Sequence, residues 1–421
     1  MDAFDVIVAG GGPGGSSTAT FLADAGLRVA LFERERFPRF HVGESLMPAS
    51  MLLLEELGAR AAIEERGFQL KYGASFHDEE NGGTQTFYFL PGQPWPNYSY
   101  QVPRAEFDTV LLEHAQKRGV TVYQPASVET TAFDADGVTV TAGGESGASA
   151  VRAAMLVDAT GRDALMATRY GQRRRVANLG KVALFAHFKG AARQSGLLEG
   201  NIRIYVFRDG WFWWIPLAGD LTSVGAVCHA RTVKAWTGEL DALFDSMITR
   251  CRGVSESLAG AVRATPVYRQ ANFAYDNSPI VGDRFVAVGD AIAFVDPIFS
   301  GGVYIALRTG QLAAEAIAEA FRAGDFSARR FAAYERRVRA GLEPFFKFIQ
   351  KYYEPAFFDL LMHPRDHFGI YEAVLNVLSG GNWVASPLRI RVALRILYAI
   401  TRFNGWLRRR AGLPMESRLE W

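Results

Sequence analysis

The opening stretch, FDVIVAGGGPGGSSTATFLADAGLRVALFERE, leaves a chain few choices of fold. A short apolar run ends in Gly10-Gly11-Gly12-Pro13-Gly14-Gly15, a helical pattern follows to Gly26, and a second apolar run ends at Glu33. Strand, glycine turn, helix, strand and acid in that order make a dinucleotide-binding βαβ unit. Without Cβ atoms the turn lets backbone approach a pyrophosphate at the helix N-terminus, and an acid about 20 residues on can accept from a ribose 2′-hydroxyl. Gly10, Gly12, Pro13, Gly14, Gly15 and Glu33 are therefore the first cofactor-binding candidates.

The rest of the chain divides around that unit. Residues 1–175 and 276–325 read as one discontinuous dinucleotide-binding domain, the FAD-binding domain that the resemblance below implies, because AAMLVDATGR and RFVAVGDA are buried-strand patterns and the second leads through another glycine turn into a long helix. Between 176 and 275, KVALFAHF, NIRIYVF, WFWWIPL and TSVGAVCH form a mostly antiparallel, substrate-side sheet. From 326 to 421 the periodicity is helical. Helices are also expected at about 45–57 and 104–118, and one strand through LKYGASFH. The expected fold class is α/β: a doubly wound βαβ domain, a second mostly antiparallel sheet as in flavin hydroxylases, and a helical C-terminal cap.

Charge and composition remove several functions. With 46 Lys and Arg against 44 Asp and Glu, the net charge of +2 gives no footprint for nucleic acid. Cys228 and Cys251 form no C-x-x-C, and His363 and His367 flank Pro364 without an acidic motif, so no metal site is expected. No apolar run reaches the roughly 20 residues of a transmembrane segment. No basic leader precedes the first apolar run, and a cytoplasmic location is the expectation.

GWFWWIPL at 210–217 then puts three tryptophans in four positions. W-x-W-x-I-P, made by Trp211, Trp213, Ile215 and Pro216, joins PRFHVGESLMP (38–48), VPRAEFD, VDATGRD, GDA (289–291) and PIFSGG (297–302). Together these resemble the flavin-dependent halogenase family, over residues 4 to about 380. The resemblance implies FAD, used as FADH2, with Arg39, Gly43, Glu44, Ser45, Arg104, Asp290, Pro297 and Gly302 as further cofactor contacts. It implies chloride or bromide as co-substrate, held by the backbone N–H groups of Ser300, Gly301 and Gly302. It also implies one catalytic lysine that guides hypohalous acid to the substrate, here Lys71 in LKYGASF. A separate flavin reductase would supply FADH2, since no second dinucleotide fingerprint follows a strand.

The tryptophans carry a physical argument of their own. A strand places Trp211, Trp213 and Ile215 on one face. Beside a flavin, that face would hold an organic ring away while halide passes. The same alternation also suits an ordinary aromatic core strand, Lys71 suits an exposed strand start, and Arg104 suits a helix cap.

One departure bears on substrate. Tryptophan halogenases carry Glu before the Ser of the flavin-facing turn, where this chain has Phe299. Its loss favours an electron-rich phenol or pyrrole and resembles the branch acting on carrier-bound substrates, making an acyl or peptidyl carrier protein a candidate partner. Phe299, Tyr352, Tyr353, Phe357 and Phe358 are candidates for the substrate chamber, although their spacing equally suits helix packing. Seven arginines and no acid between 389 and 410 fit a packed lid with a basic face, a membrane-surface helix, or a dock for an acidic carrier. The family also implies a place in secondary metabolism such as antibiotic biosynthesis. A flavin monooxygenase or a geranylgeranyl-reductase-like oxidoreductase is the alternative on the same scaffold, and a flavoprotein without turnover is the non-enzymatic one.

Overall fold

The first strand, Val6–Ala9, pairs in parallel with Val29–Phe32 on one side and Met155–Asp158 on the other. This is a computed structural model, and it describes residues 4–145, 147–176, 180–271, 273–364, 367–383 and 387–413. Phe285–Ala287 and Thr121–Tyr123 extend the sheet in parallel, and Val281–Gly282 adds an antiparallel edge. All four residues of Val6–Ala9 are buried, as expected for a parallel strand covered on both faces. Pro13–Asp24, Arg104–Lys117 and Gly302–Ala323 cover one face. The antiparallel strands Ala126–Phe133, Val138–Gly144 and Gly147–Ala153 cover the other, burying Val138, Val140 and Ala142 against Ile7, Ala30 and Phe32.

The second sheet runs in the order Val262–Arg263, Lys181–Lys189, Leu221–His229, Gly210–Pro216, Ile202–Phe207, Gly73–Asp78, Thr84–Tyr88, with Tyr268–Ala271 also paired to Lys181–Lys189. Every pairing is antiparallel except that of Ile202–Phe207 with Gly73–Asp78. This one parallel ladder shifts the domain division. Residues 73–88, grouped above with the FAD-binding domain, pair into the sheet otherwise built from 181–271.

Two local expectations change. LKYGASFH is two strands: Gln69–Lys71 pairs with Ser99–Gln101, while Gly73–Asp78 joins the large sheet. The break falls at Tyr72, whose N–H donates to the Asn201 side chain at 3.0 Å. The helix expected at 45–57 spans Ala49–Glu56, because Ser45 bridges Gln101 and the Leu46 N–H donates to the Tyr100 carbonyl.

Period-2 alternation in Gly210–Pro216 separates two cores. Trp211, Trp213 and Ile215 face the main core, with the helices and Phe299. Phe212 and Trp214 face a smaller one closed by Phe244, Met247, Cys228 and Cys251. Beyond Ala323 come Ala332–Tyr352, Pro355–Met362, Ile370–Ser379 and Leu388–Arg410. The last packs on the others through Ile390, Ala393, Leu397, Thr401 and Gly405, while Arg389 and Arg408 pair with Glu372 and Asp359. The cap residues 414–421 lie outside the described residues. No helix among the described residues is long and apolar enough to cross a membrane.

Gly225 stands opposite Trp213, and a Cβ there would lie 2.2 Å from the indole ring. Overpacking of this kind costs about 1–3 kcal/mol. Gly225→Ala should lose that much in denaturant unfolding, whereas Ala226→Gly, on the other face, should leave Trp213 in place; equal near-ultraviolet dichroism in wild type and Gly225→Ala would contradict the packing.

Candidate active site

The glycine turn is a cradle that side chains would fill. Gly10 has φ +107°, and a Cβ on it would lie 2.3 Å from the Ala159 carbonyl oxygen. A Cβ on Gly15 would lie 1.8 Å from the Gly10 oxygen, so Gly15 shapes the turn from beneath without lining the cavity. The glycines open onto a cavity of about 650 Å3. Glu33 also lines it, its carboxylate aimed by the N–H groups of Gly11 (2.6 Å) and Glu35 (2.9 Å). Below, the Asp158 carboxylate accepts from Thr160 N–H, Thr160 O–H and Met166 N–H, shaping a loop whose Thr160 and Gly161 line the same space. A helix N-terminus, a backbone-only turn and an aimed acid suit the pyrophosphate and ribose of FAD.

The remaining expected cofactor contacts converge there. Arg39, Gly43, Glu44, Ser45, Arg104, Asp290, Pro297 and Gly302 all line the cavity. Burial pushes the Asp290 carboxyl up to about 6, with Arg104 and Arg162 pulling the other way. Arg104 is no surface cap. It is buried, binds Asp108 through two hydrogen bonds of 2.8 and 2.9 Å, and donates to the carbonyls of Val42 and Gly43. Arg39 reaches the same carboxylate at 3.2 Å. Asp108 thus clamps the 39–43 segment over the cavity. It is absent from the sequence reading, and the i, i+4 spacing from Arg104 is the signal that could have found it. Glu44 has a second unforeseen partner, His187, whose Nε2 lies 2.8 Å from its Oε1.

The tryptophan strand lines the cavity through Trp211, Trp213 and Ile215. Pro216 does not; it ends the strand opposite Thr222. Both wall indoles are tied down: Trp213 Nε1 donates to Ser223 Oγ, and Trp211 Nε1 to the Tyr353 hydroxyl, each at 3.1 Å. Ser300, Gly301 and Gly302 line the cavity at the start of Gly302–Ala323. The Ser300 N–H already donates to the Pro297 carbonyl at 3.0 Å, so it is not available to a halide as expected. Gly301 and Gly302 remain at the helix N-terminus, where N–H groups have no intrahelical carbonyl.

Lys71 sits one hydrogen bond behind the cavity. Its Nζ donates to Ser45 Oγ and the Leu46 carbonyl, both at 2.9 Å, and stands 5.4 Å from the centre of the Phe89 ring. It is 3% exposed, which disposes of the surface-lysine alternative. Desolvation lowers its pKa to about 7. In its neutral form the amine would satisfy both acceptors with its two N–H groups and keep one lone pair free.

The five chamber candidates do not line the cavity. Phe299 packs against Phe348 and Tyr352 at ring separations of 5.2 and 5.3 Å. Tyr352 meets Tyr353 and Phe358, and Phe357 meets Phe348. In this structure they close on one another as a core. Among the described residues no cluster of His, Cys, Asp and Glu could hold a metal ion.

The family model described as tryptophan halogenase matches residues 5–96 and 91–356. The chain is 32% identical over 374 residues to a 1H-pyrrole-2-carbonyl-(peptidyl-carrier protein) chlorinase of Pseudomonas fluorescens, covering 83% of each chain. It is 34% identical over 321 residues to a tryptophan 2-halogenase of Chondromyces crocatus, spanning 74% of this chain and 60% of that one. Its fold is similar to the myxobacterial chondrochloren halogenase CndH, with TM-score 0.80, 32% identity, and 96% and 98% of the two chains covered. The flavin-dependent brominase Bmp2 superposes with TM-score 0.84 at 28% identity, covering 95% of this chain and 100% of that one.

The lysine's environment has a consequence for stability. Between about 7 in the fold and its ordinary 10.5, only the unfolded chain holds the extra proton. Stability should therefore rise with pH across that window, by up to about 1.4 kcal/mol per pH unit, and this contribution should be flat below it. Urea unfolding across pH 6–10 should show the rise in wild type and lose it in Lys71→Met.

Proposed function

This chain belongs to the tryptophan halogenase family of FAD-dependent enzymes, and we propose that the ring it halogenates is electron-rich, a phenol or a pyrrole, presented on an acyl or peptidyl carrier protein. Bound reduced FAD supplies, with dioxygen and halide, the hypohalous acid. The chain's own residues do the rest. Gly10–Gly14, Glu33, Arg39 and Arg104 hold the cofactor. Trp211, Trp213 and Ile215 fill the near wall and keep an organic ring off the flavin. Gly301 and Gly302 receive the halide, and Lys71 meets hypohalous acid as a neutral amine.

The observation that carries this reading is Lys71: a buried, desolvated amine beside Ser45, which itself lines the cavity. Among its described contacts none is a carboxylate. Such a group responds to a small polar oxidant better than to a bulky substrate. Substrate class rests on three supports. Phe299 stands where family members acting on tryptophan carry an acid, so a ring needing less activation is the better match. The relative from Pseudomonas fluorescens is named for a carrier-bound pyrrole, and the arginines of Leu388–Arg410 offer complementary charge to an acidic carrier. As in the family, a separate flavin reductase supplies the reduced cofactor.

The test is product mass spectrometry on phenols and pyrroles, free and carrier-tethered, with FAD, reductase, NADH, dioxygen and bromide. A bromine isotope pattern on a tethered phenol or pyrrole, abolished in Lys71→Ala, is expected. Oxygen insertion without bromine would place the chain with the monooxygenases instead. The halogenation rate should rise with pH through about 7 as the Lys71 amine loses its proton; a rate falling through the same pH would assign the work to the ammonium form.

A further inference from the structure

The two wall tryptophans are anchored differently. Trp213 is fixed by Ser223, on the adjacent strand of its own sheet. Trp211 is fixed by Tyr353, 142 residues away at the end of the cap helix Ala332–Tyr352. The Tyr353 hydroxyl in turn lies 2.7 Å from Asp296 Oδ2. Asp296 Oδ1 accepts from the Ile298 N–H at 3.1 Å and so caps the turn that carries Ser300, Gly301 and Gly302.

The chemistry of the donors fixes the direction of this chain. An indole N–H can only donate, so the tyrosine oxygen must accept from it, and the phenolic proton must then point to Asp296. Trp211, Tyr353 and Asp296 are each 4% exposed or less, where an unmade hydrogen bond costs most. Burial holds the Tyr353 phenol well above its ordinary range, so it keeps the proton the arrangement needs. Burial also raises the Asp296 carboxyl, with Lys181 opposing it. Lys181 Nζ stands 3.0 Å from the centre of the Tyr353 ring. Three parts of the molecule meet at one hydroxyl: the wall, the helical cap and the turn facing the cavity.

We propose that Tyr353, oriented by Asp296, is a positioning residue that locks the Trp211 indole in the wall and makes the wall's integrity depend on the seating of the cap. The inference rests on reading Trp211 as a barrier beside the flavin. Without the hydroxyl, the Trp211 ring keeps its volume but loses its fixed orientation. Reduced flavin would still react with dioxygen, and less of the oxidant would reach the substrate.

The test uses the full-length, FAD-loaded protein with 15N-labelled indoles. The Trp211 signal is identified by its absence in Trp211→Phe. In Tyr353→Phe the Trp211 indole N–H should exchange with solvent about tenfold faster, as a lost buried hydrogen bond predicts. Asp296→Asn, which keeps the phenol, should move the same signal in the same direction by less, and stands in should Tyr353→Phe fold poorly. In turnover, Tyr353→Phe should lower halogenated product per NADH consumed and raise hydrogen peroxide correspondingly. The control is Tyr334→Phe. It removes another buried hydroxyl from the same helix, one that donates to the Ala287 carbonyl at 2.6 Å. It should lower the melting temperature and leave both readouts unchanged. Unaltered Trp211 exchange in Tyr353→Phe and Asp296→Asn would overturn the inference. Faster exchange in Tyr353→Phe, alongside a wild type that halogenates nothing, would support the lock and overturn the halogenase reading alone.

Discussion

Bare backbone against bare backbone sets the geometry of everything around the cavity. Ala159 donates to the Ala9 carbonyl, Gly10 to Phe32, and Val288 to Asp158, so the ends of four neighbouring strands are held in one register. A methyl group on Gly10 or Gly15 would land inside a carbonyl oxygen and force these ends apart. Because the contact holds, the N-terminus of Pro13–Asp24 dips to the cavity floor, and the loops after Asp158 and Val288 open beside it. The same closeness continues along the helix pair: a Cβ on Gly310 would meet Thr18 Oγ1 at 2.7 Å. The second sheet, the clamp and the cap are then arranged around a space whose floor is already fixed.

Around that floor, buried charge is handled in two opposite ways. The Asp108 carboxylate takes a two-pronged pair of hydrogen bonds from Arg104 and an ion contact at 3.2 Å from Arg39, and removing one partner of such a group typically costs about 3–5 kcal/mol. These contacts tie the 39–43 segment to the helix Arg104–Lys117. Lys71 is treated differently, with a hydroxyl, a carbonyl and a ring face for company. No carboxylate is among its described contacts, so burial pulls its pKa down to about 7. The contrast separates scaffold from the residue proposed to act: the groups that hold the 39–43 segment are paired with charge, and the amine proposed to meet the oxidant has only neutral groups among its described contacts.

What could be read from the chain in advance follows the range of the forces involved. The glycine turn and Glu33 are local signals with fixed spacing, and the period-2 alternation of Trp211, Trp213 and Ile215 is a property of any strand. Lys71 was legible only through the resemblance of its segment, since one lysine among apolar neighbours says nothing about Ser45, 26 residues earlier. The break at Tyr72 was hidden because its cause, Asn201, lies 129 residues away. Pairing of Gly73–Asp78 with Ile202–Phe207 is equally long-range and moved a boundary that composition alone could not place. The aromatic residues at 352–358 were seen as rings at helical spacing, but periodicity cannot distinguish a wall that faces a cavity from rings that close on one another.

Cys228 and Cys251 gain a meaning from the face of the sheet they occupy. Both lie in the small core with Phe212 and Trp214, on the opposite side of the tryptophan strand from the cavity. Burial pushes each thiol up to about 12, so neither offers a thiolate. Hypohalous acids attack sulfur faster than they attack most rings, and an enzyme that makes one is its own nearest target. Under the proposed function, the strand that would screen substrate from flavin would also stand as a firebreak between the oxidant and both thiols.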